Sequence, residues 1–263
     1  MSSIKQTLLV ALGVCLVASV FVSTAAVGLK PIQVKNKKLD LLKNILIAGN
    51  LYTEGTDVGK VYKEKIVPEI IDLKSGTILS KNKFDAVMNP NSFDVRDVIN
   101  DSKWTKRIPA DKDIAGIKIM PTAMAVYRVV DKNGNVIKYI FPIYGKGLWS
   151  TMFGFIALDK DLHTIKGFTF YQQGETPGLG GEVDNPKWKK LWIGKQAYDA
   201  DGNLKIRVIK RHVDANDPDA KYKVDGLSGA TLTTRGVNHL VRFWLSNDGY
   251  GNFIKKLRRD KKG

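Results

Sequence analysis

The segment Asp225-Gly-Leu-Ser-Gly-Ala-Thr231 combines a carboxylate, two hydroxyls and two glycines between a predicted strand and a predicted helix. Glycines permit tight backbone turns, and the hydroxyls would lie beside the unpaired N–H groups of the helix start. Aligned peptide dipoles and free donors make such a helix start attractive for a phosphate. The residues alone therefore indicate a phosphate site, although a turn that merely caps the helix fits them equally well.

Two further glycine-rich segments accompany this one, Gly145-Lys-Gly-Leu-Trp149 and Gly174-Glu-Thr-Pro-Gly-Leu-Gly180. Together the three segments resemble the motifs of FMN-binding domains. In that family the threonine that ends the motif becomes linked to FMN through a phosphodiester, and this position is Thr231 here. With the apolar N-terminus and the length, the chain resembles over essentially its whole extent the C-type subunit of Na+-translocating NADH:quinone reductases. The G-type subunit of the Rnf electron-transport complex is the nearest alternative.

The resemblance implies a set of residues around a covalently bound FMN. Those that would hold the flavin ring are Trp149, Thr176 and Leu179. Those that would shape the loop beside it are Glu175, Gly178 and Gly180. The attachment motif also contains Ser228, Gly229 and Ala230, with Ser228 able to hydrogen-bond the phosphate. Asp225 could bind a metal while a separate flavin transferase acts, but no resident metal site and no catalytic residue apart from the cofactor are expected.

The composition excludes several other redox and metal chemistries. The 263 residues include one cysteine, which is too few for a disulfide framework, a cysteine-ligated iron–sulfur cluster or a cysteine-rich zinc module. The sequence contains neither a G-x-x-x-x-G-K-[ST] phosphate loop nor a G-x-G-x-x-G dinucleotide fingerprint. Redox chemistry would therefore depend on a cofactor held by other side chains, and we do not expect this chain to bind NADH.

An apolar N-terminal run predicts a membrane anchor over residues 1–30. Residues 6–29 carry no charged side chain, and the 23 residues from Thr7 to Leu29 would span roughly 35 Å as a helix. A retained anchor is favoured over a cleaved signal because the run exceeds the apolar stretch of most signals. The lysines at 30, 35, 37, 38 and 43 would place the following domain in the cytoplasm by charge counting, whereas the family resemblance implies the periplasmic side.

Residues 31–263 are predicted to form one extracytoplasmic FMN-binding domain, with its core motifs within 145–235. We expect the α+β class, an antiparallel sheet flanked by helices. A helix from Asn36 to Gly49 and another over 58–67 precede a poorly patterned segment, 75–122. Four strands follow, the first two joined through Asn133-Gly134. A helix that begins after Asn185, a strand over 204–213 and an amphipathic helix over 231–245 complete the prediction.

Two functions of other classes also have some support from the residues. Gly226-Leu-Ser-Gly-Ala230 approximates the G-x-S-x-G elbow of serine hydrolases, but His239 lies in the same predicted helix and is poorly placed as a base. The tail from Lys255 to Lys262 holds six basic residues in eight, as polyanion-binding modules do. A solvated terminus is the commoner explanation of such a run, and no nucleic-acid motif accompanies it.

The resemblance thus predicts a membrane-anchored flavoprotein with FMN esterified to Thr231. Such a protein would relay electrons within an NADH:ubiquinone oxidoreductase that exports Na+, as a single-pass protein of the bacterial inner membrane. Its expected partners are the other subunits, membrane lipid and the flavin transferase, with no nucleic acid. Because one helix cannot form a channel alone, the ion path and the quinone site would belong mainly to other subunits.

Overall fold

The computed structural model describes residues 2–80, 82 and 84–260. Contacts divide the chain into two compact units, the first ending at Asp40 and the second beginning at Leu41, whereas the sequence pattern suggests a boundary after residue 30. The helices are α1 (Ser2–Ala48), α2 (Val58–Lys65), α3 (Val95–Val98), α4 (Pro186–Lys190), α5 (Thr231–Leu245) and α6 (Gly251–Asp260). The strands are β1 (Ile66–Asp72), β2 (Thr77–Ile78), β3 (Thr105–Arg107), β4 (Ile119–Pro121), β5 (Ala123–Val130), β6 (Val136–Lys146), β7 (Thr151–Asp159), β8 (Ile165–Gln172), β9 (Arg207–Val208) and β10 (Lys223–Val224).

The first unit contains α1 up to Asp40, and α1 is long and apolar enough to cross a membrane. Its large apolar side chains are exposed, including Leu9 at 69% and Phe21 at 72%. Such a surface is unfavourable in water and favourable in the hydrocarbon of a bilayer. The helix continues through Pro31 and Asn36, so the prediction of a separate helix that begins at Asn36 is wrong. Asn36 lies within an uninterrupted helix, where it has no role as a cap.

The second unit is built on a six-stranded antiparallel sheet with the strand order β2-β1-β5-β6-β7-β8. The predicted succession of four neighbouring strands, β5 to β8, is confirmed, and Gly134 adopts a φ of 80° in the turn between β5 and β6. β5, β6 and β7 are buried along most of their length, as expected for strands that are covered on both faces. The predicted α+β class with an antiparallel sheet and flanking helices is confirmed.

Several helices and strands are shorter than the sequence predicts. The helix expected over 58–67 ends at Lys65, because Ile66 is extended and begins β1, which pairs with β5. The strand expected over 204–213 is limited to β9, which pairs in parallel with β10. The helix after Asn185 is capped as predicted but ends at Lys190. The basic C-terminal run begins inside α6; its residues Lys255 and Arg259 are exposed, whereas Phe253 and Ile254, which precede the run, are buried. Burial of these two side chains stabilises the helix on the domain.

The sheet register brings the predicted motifs to one end of the sheet. Lys146 at the end of β6 pairs with Thr151 at the start of β7, and Phe153 pairs with Gln172 at the end of β8. The loop 147–150 and the chain that follows β8 therefore emerge together. α5 also reaches this place, because a Cβ added to Gly236 would lie 2.5 Å from the carbonyl oxygen of Lys146. We call this end of the strands, which carries residues 146–151 and 172, the motif end of the sheet.

Candidate functional site

The first turn of α5 begins at Thr231 and has unpaired backbone donors. Ala230 occupies the N-cap position and supplies no side-chain acceptor, and the first bond into the helix runs from Thr234 N to Ala230 O at 2.9 Å. Within the described residues, the N–H groups of Thr231, Leu232 and Thr233 have no hydrogen-bond acceptor. Unpaired N–H groups at the positive end of a 15-residue helix attract an anion. The donors that the predicted phosphate site would need are therefore present, and phosphate binding here stays a prediction.

The three threonines of this turn differ in what their hydroxyls do. Thr233 is buried and donates its Oγ1 hydrogen to Glu175 Oε2 at 2.6 Å. Thr234 is also buried, and its Oγ1 accepts a hydrogen bond from Leu227 N at 2.9 Å. Thr231 is exposed, and no hydrogen bond of its hydroxyl is present among the described residues. Only Thr231 therefore combines solvent access with an uncommitted hydroxyl in this turn.

The loop that leads into α5 is shaped by two glycines. Gly229 has a φ of 72°, a conformation that residues with a side chain rarely adopt, and a Cβ there would lie 3.0 Å from Leu179 Cδ2. At Gly226 a Cβ would lie 2.3 Å from the carbonyl oxygen of Ile209, so a larger residue would displace backbone. Ser228 between them is exposed. The attachment motif is thereby held against Leu179 of the second motif.

Glu175, in the second motif segment, joins the first segment to α5. Its carboxylate accepts hydrogen bonds from the backbone N–H groups of Leu148 (3.0 Å), Trp149 (3.1 Å) and Ser150 (3.1 Å). It also accepts from the hydroxyls of Ser150 at 3.1 Å and Thr233 at 2.6 Å. The side chain is only 5% exposed. Burial by itself would raise the pKa of Glu175, but these donors outweigh it and hold the pKa below its usual value.

This arrangement limits what Glu175 can do toward a flavin. Both carboxylate oxygens are occupied by the protein, so Glu175 positions the loop that bears Trp149. A Cβ on Gly147 would lie 2.5 Å from Glu175 Oε1, and one on Gly180 would lie 2.5 Å from Thr233 Oγ1. These two glycines therefore make room for the buried carboxylate and for its bond to α5. Ser150 and Thr233, which complete this cluster, were not recognised from the sequence because neither belongs to a motif.

The ring-holding residues implied by the resemblance lie on the surface at the motif end. Trp149 is 67% exposed and Leu179 is 45% exposed, and Leu148 and Leu232 add further exposed apolar surface. Thr176 is exposed, and its carbonyl oxygen accepts bonds from Leu179 N (3.1 Å) and Gly181 N (2.9 Å). Gly178 supports that turn with a φ of 75°.

Asp225 is hydrogen-bonded through both oxygens of its carboxylate and through its carbonyl oxygen. Its Oδ1 accepts a hydrogen bond from Val213 N at 2.8 Å, and its Oδ2 lies 2.7 Å from His212 Nδ1. Its carbonyl oxygen accepts from Trp188 Nε1 at 2.9 Å. Asp225 therefore ties the 212–213 segment and α4 to the attachment motif. His212 is a contact that sequence reasoning missed, since thirteen residues separate it from Asp225.

The serine hydrolase alternative gains no support from this geometry. Ser228 and His212 line one open groove of about 1000 Å³. No hydrogen bond between these two side chains is found within the part of the chain that the structure describes, so Ser228 lacks the adjacent base that a nucleophile requires.

In the same part of the chain, no group of three or more His, Cys, Asp or Glu side chains is arranged to hold a metal ion.

Comparisons with known proteins agree with this site. Residues 147–246 match the family model described as FMN-binding domain. The chain is 46% identical over 260 residues to the C-type subunit of the Na(+)-translocating NADH-quinone reductase of Pseudomonas aeruginosa, covering 98% of this chain and 97% of that protein. It is 44% identical over 259 residues to the protein of the same name from Yersinia pestis, covering 97% of this chain and 94% of that protein.

A solved structure of a C-type subunit is also similar to this chain. The crystal structure of Shewanella oneidensis NqrC superposes with a TM-score of 0.75 at 35% sequence identity, covering 85% of this chain and 99% of that one. Similarity at this level over nearly the whole of each chain establishes common descent and a common fold. The chain therefore belongs to the NqrC family, the C-type subunits of the Na+-translocating NADH-quinone reductase.

Proposed function

We propose that this chain carries FMN as a phosphate ester of Thr231 and relays electrons within a membrane-bound NADH:quinone oxidoreductase that exports Na+. The observation that carries the proposal is the difference among the three threonines of the first turn of α5. Thr233 and Thr234 are buried and hydrogen-bonded, whereas Thr231 is exposed with an uncommitted hydroxyl. A flavin transferase that modifies the folded chain would therefore reach Thr231 and neither of the other two.

The residues of this turn suit the phosphate of such an ester. The unpaired N–H groups of Thr231, Leu232 and Thr233 would donate to its oxygens, and the helix dipole would favour its negative charge. Ser228 is exposed in the preceding loop and would add a hydroxyl donor. Among the described residues no carboxylate accepts a hydrogen bond from these donors, and the two carboxylates of the motifs, Asp225 and Glu175, are hydrogen-bonded elsewhere.

The exposed apolar side chains suit the flavin ring. Trp149 offers an aromatic face and Leu179 an aliphatic one, and the bonds to Glu175 hold the Trp149 loop in place before any ligand arrives. Bound FMN would supply the capacity to accept and release electrons, which the side chains lack. Because attachment is through the phosphate, the ring would keep its redox chemistry while the tether prevents loss of the cofactor.

The anchor and the partners complete the proposal. We infer that α1 crosses the inner membrane once and that the flavin domain lies on the periplasmic side, as the family resemblance implies. The relatives are subunits of an NADH-quinone reductase, so the NADH site, the quinone site and the ion path would belong to other members of the complex. Membrane lipid around α1 and the flavin transferase are the other expected partners.

Mass spectrometry of the intact chain from native membranes tests the attachment. We expect the mass of one FMN less one water on the peptide that contains Thr231, and loss of this adduct in Thr231→Val. Thr234→Val is the matched control, because it removes a hydroxyl from the same turn and should leave the adduct in place. An unmodified wild-type chain, or an adduct that persists in Thr231→Val, would contradict the proposal.

A further inference from the structure

A second cavity lies away from the motif end of the sheet. It has a volume of about 630 Å³ and lies between the β7–β8 turn, residues 200–202 and α6. The β7–β8 turn follows Asp159, which pairs with Lys138 near the start of β6, whereas the motif end begins at Thr151. Eight residue steps along β7 separate the two places, about 26 Å of extended strand. None of the residues implied in flavin binding lines this cavity.

The lining of this cavity is unusually basic. Five of its nine lining residues are basic and come from two separate parts of the chain, namely Lys160, His163, Lys255, Arg258 and Arg259. Two are acidic, Asp161 and Asp201. The carboxylate of Asp161 is used by its own turn, where it accepts hydrogen bonds from His163 N (2.7 Å), Thr164 N (2.8 Å) and Thr164 Oγ1 (2.6 Å). The lining therefore carries an excess of positive charge.

Arg258 is fixed in position at the wall of this cavity. It donates from Nη2 to the carbonyl oxygen of Leu162 at 2.5 Å, and its guanidinium carbon lies 4.2 Å from the centre of the Tyr198 ring. Its Nε is buried and has no hydrogen-bond partner among the described residues. No carboxylate in those residues lies within ion-pair distance of it. Burial lowers the pKa of Arg258, and the charge interactions with Tyr198 and Asp161 offset only part of that effect.

The neighbouring cations lie on the same face of α6. Lys255, Arg258 and Arg259 are spaced by three and four residues, which places them side by side on a helix. Lys160 and His163 contribute to the lining from the β7–β8 turn, whereas the close spacing is that of the three cations of α6. Like charges at such separations repel one another and lower stability. A bound anion would remove this repulsion, and a guanidinium already oriented by an aromatic ring loses little entropy when it binds one.

We propose that this cavity binds a phosphate group, with Arg258 as the fixed donor and Lys255 and Arg259 as flexible charges around it. Phosphate is favoured because its several oxygens can accept from a forked guanidinium and from ammonium groups at once. A soluble phosphate compound and the headgroup of a phospholipid both present this group, and the two sources are separable.

The test uses the full-length flavin-loaded chain in phosphatidylcholine nanodiscs and in a phosphate-free buffer. Calorimetric titration with pyrophosphate probes the soluble source. Native mass spectrometry of the same chain from micelles that contain phosphatidylglycerol counts retained anionic lipid and probes the other. The main variant is Lys255→Gln with Arg259→Gln, since both side chains are exposed and leave the Leu162 and Tyr198 contacts of Arg258 intact. The control is Lys256→Gln, which removes one positive charge from α6 at a residue that does not line the cavity.

We expect one of the two probes to bind to the wild-type chain, and the double variant to weaken that binding at least about tenfold, because each charge-assisted hydrogen bond is worth that factor or more. Arg258→Gln should abolish it, with far-ultraviolet circular dichroism as the check on folding. Binding of pyrophosphate assigns a soluble ligand, and selective retention of phosphatidylglycerol assigns a lipid. The proposal is overturned if the wild-type chain binds neither, or if Lys256→Gln weakens binding as much as the double variant does.

Discussion

Replacement of Glu175 by glutamine should loosen the loop that carries Trp149. Glutamine keeps one acceptor oxygen but presents an amide donor where the second oxygen stood. If the amide oxygen takes the place of Oε1, the bonds from Trp149 N, Ser150 N and Ser150 Oγ become neutral, and each loses about 1 kcal/mol. The N–H of Leu148 then faces another donor, which costs about 1–3 kcal/mol in a buried place. The hydroxyl of Thr233 can rotate and accept instead.

These losses together give about 4–6 kcal/mol, a large part of the stability of an ordinary domain. Hydrogen exchange followed by mass spectrometry measures the effect where it arises, at the amides of residues 148–150. Because 1.4 kcal/mol corresponds to a factor of ten, exchange there should accelerate at least about 100-fold in Glu175→Gln. Urea denaturation should show a matching fall in the free energy of unfolding.

Glu64→Gln is the matched control, because Glu64 is exposed on α2 and its replacement should change the free energy of unfolding by less than about 0.5 kcal/mol. The reasoning fails if exchange at residues 148–150 is unchanged in Glu175→Gln. It also fails if the accelerated exchange is spread evenly over the domain, since that would mean general destabilisation without a specific loss at this loop.

Two further predictions concern the same region. The pKa of Glu175 is lower in the folded chain than its usual value of 4.5, so its stabilising contribution is present above pH 4.5 and is lost as the pH falls through the lowered folded value. The wild-type chain should therefore lose more stability than Glu175→Gln in urea titrations below pH 4.5, and parallel curves would contradict this. Gly236→Ala should destabilise the domain by about 1–3 kcal/mol, although alanine favours helices, because the added Cβ would lie 2.5 Å from Lys146 O. A stabilised Gly236→Ala variant in thermal unfolding would show that α5 does not approach β6 so closely.

The sequence pattern predicted the structure correctly wherever that structure is determined by residues close together in the chain. Asn133-Gly134 predicts a turn because glycine adopts the positive φ that the hairpin needs, and Gly134 does so. Asn185 caps α4 through a bond to Lys187 N, as its position before a proline suggests. α5 begins at Thr231 and ends at Leu245 as predicted, because its apolar residues recur at helical spacing.

The pattern failed where distant segments decide the structure. Ile66–Asp72 is a strand because β5 lies beside it, and the pairing joins residues about sixty positions apart. The two-residue pair of β9 and β10 is likewise fixed by an approach of separate segments. α6 forms although most of its residues are charged or polar, because Phe253 and Ile254 are buried in the hydrophobic core. Secondary-structure propensity is weak compared with burial of this kind.

At the candidate site the same division holds. The sequence by itself determined the motifs, the helix start at Thr231 and the apolar run of α1, since each depends on residue type and short spacing. Only the tertiary structure showed that the carboxylate of Glu175 accepts hydrogen bonds from the backbone of residues 148–150 and from Thr233. It also showed that, in the first turn of α5, only Thr231 has a hydroxyl that is exposed and makes no hydrogen bond among the described residues. The partners of a buried carboxylate are chosen by which chain segments the sheet brings to one end, and no local pattern encodes that meeting.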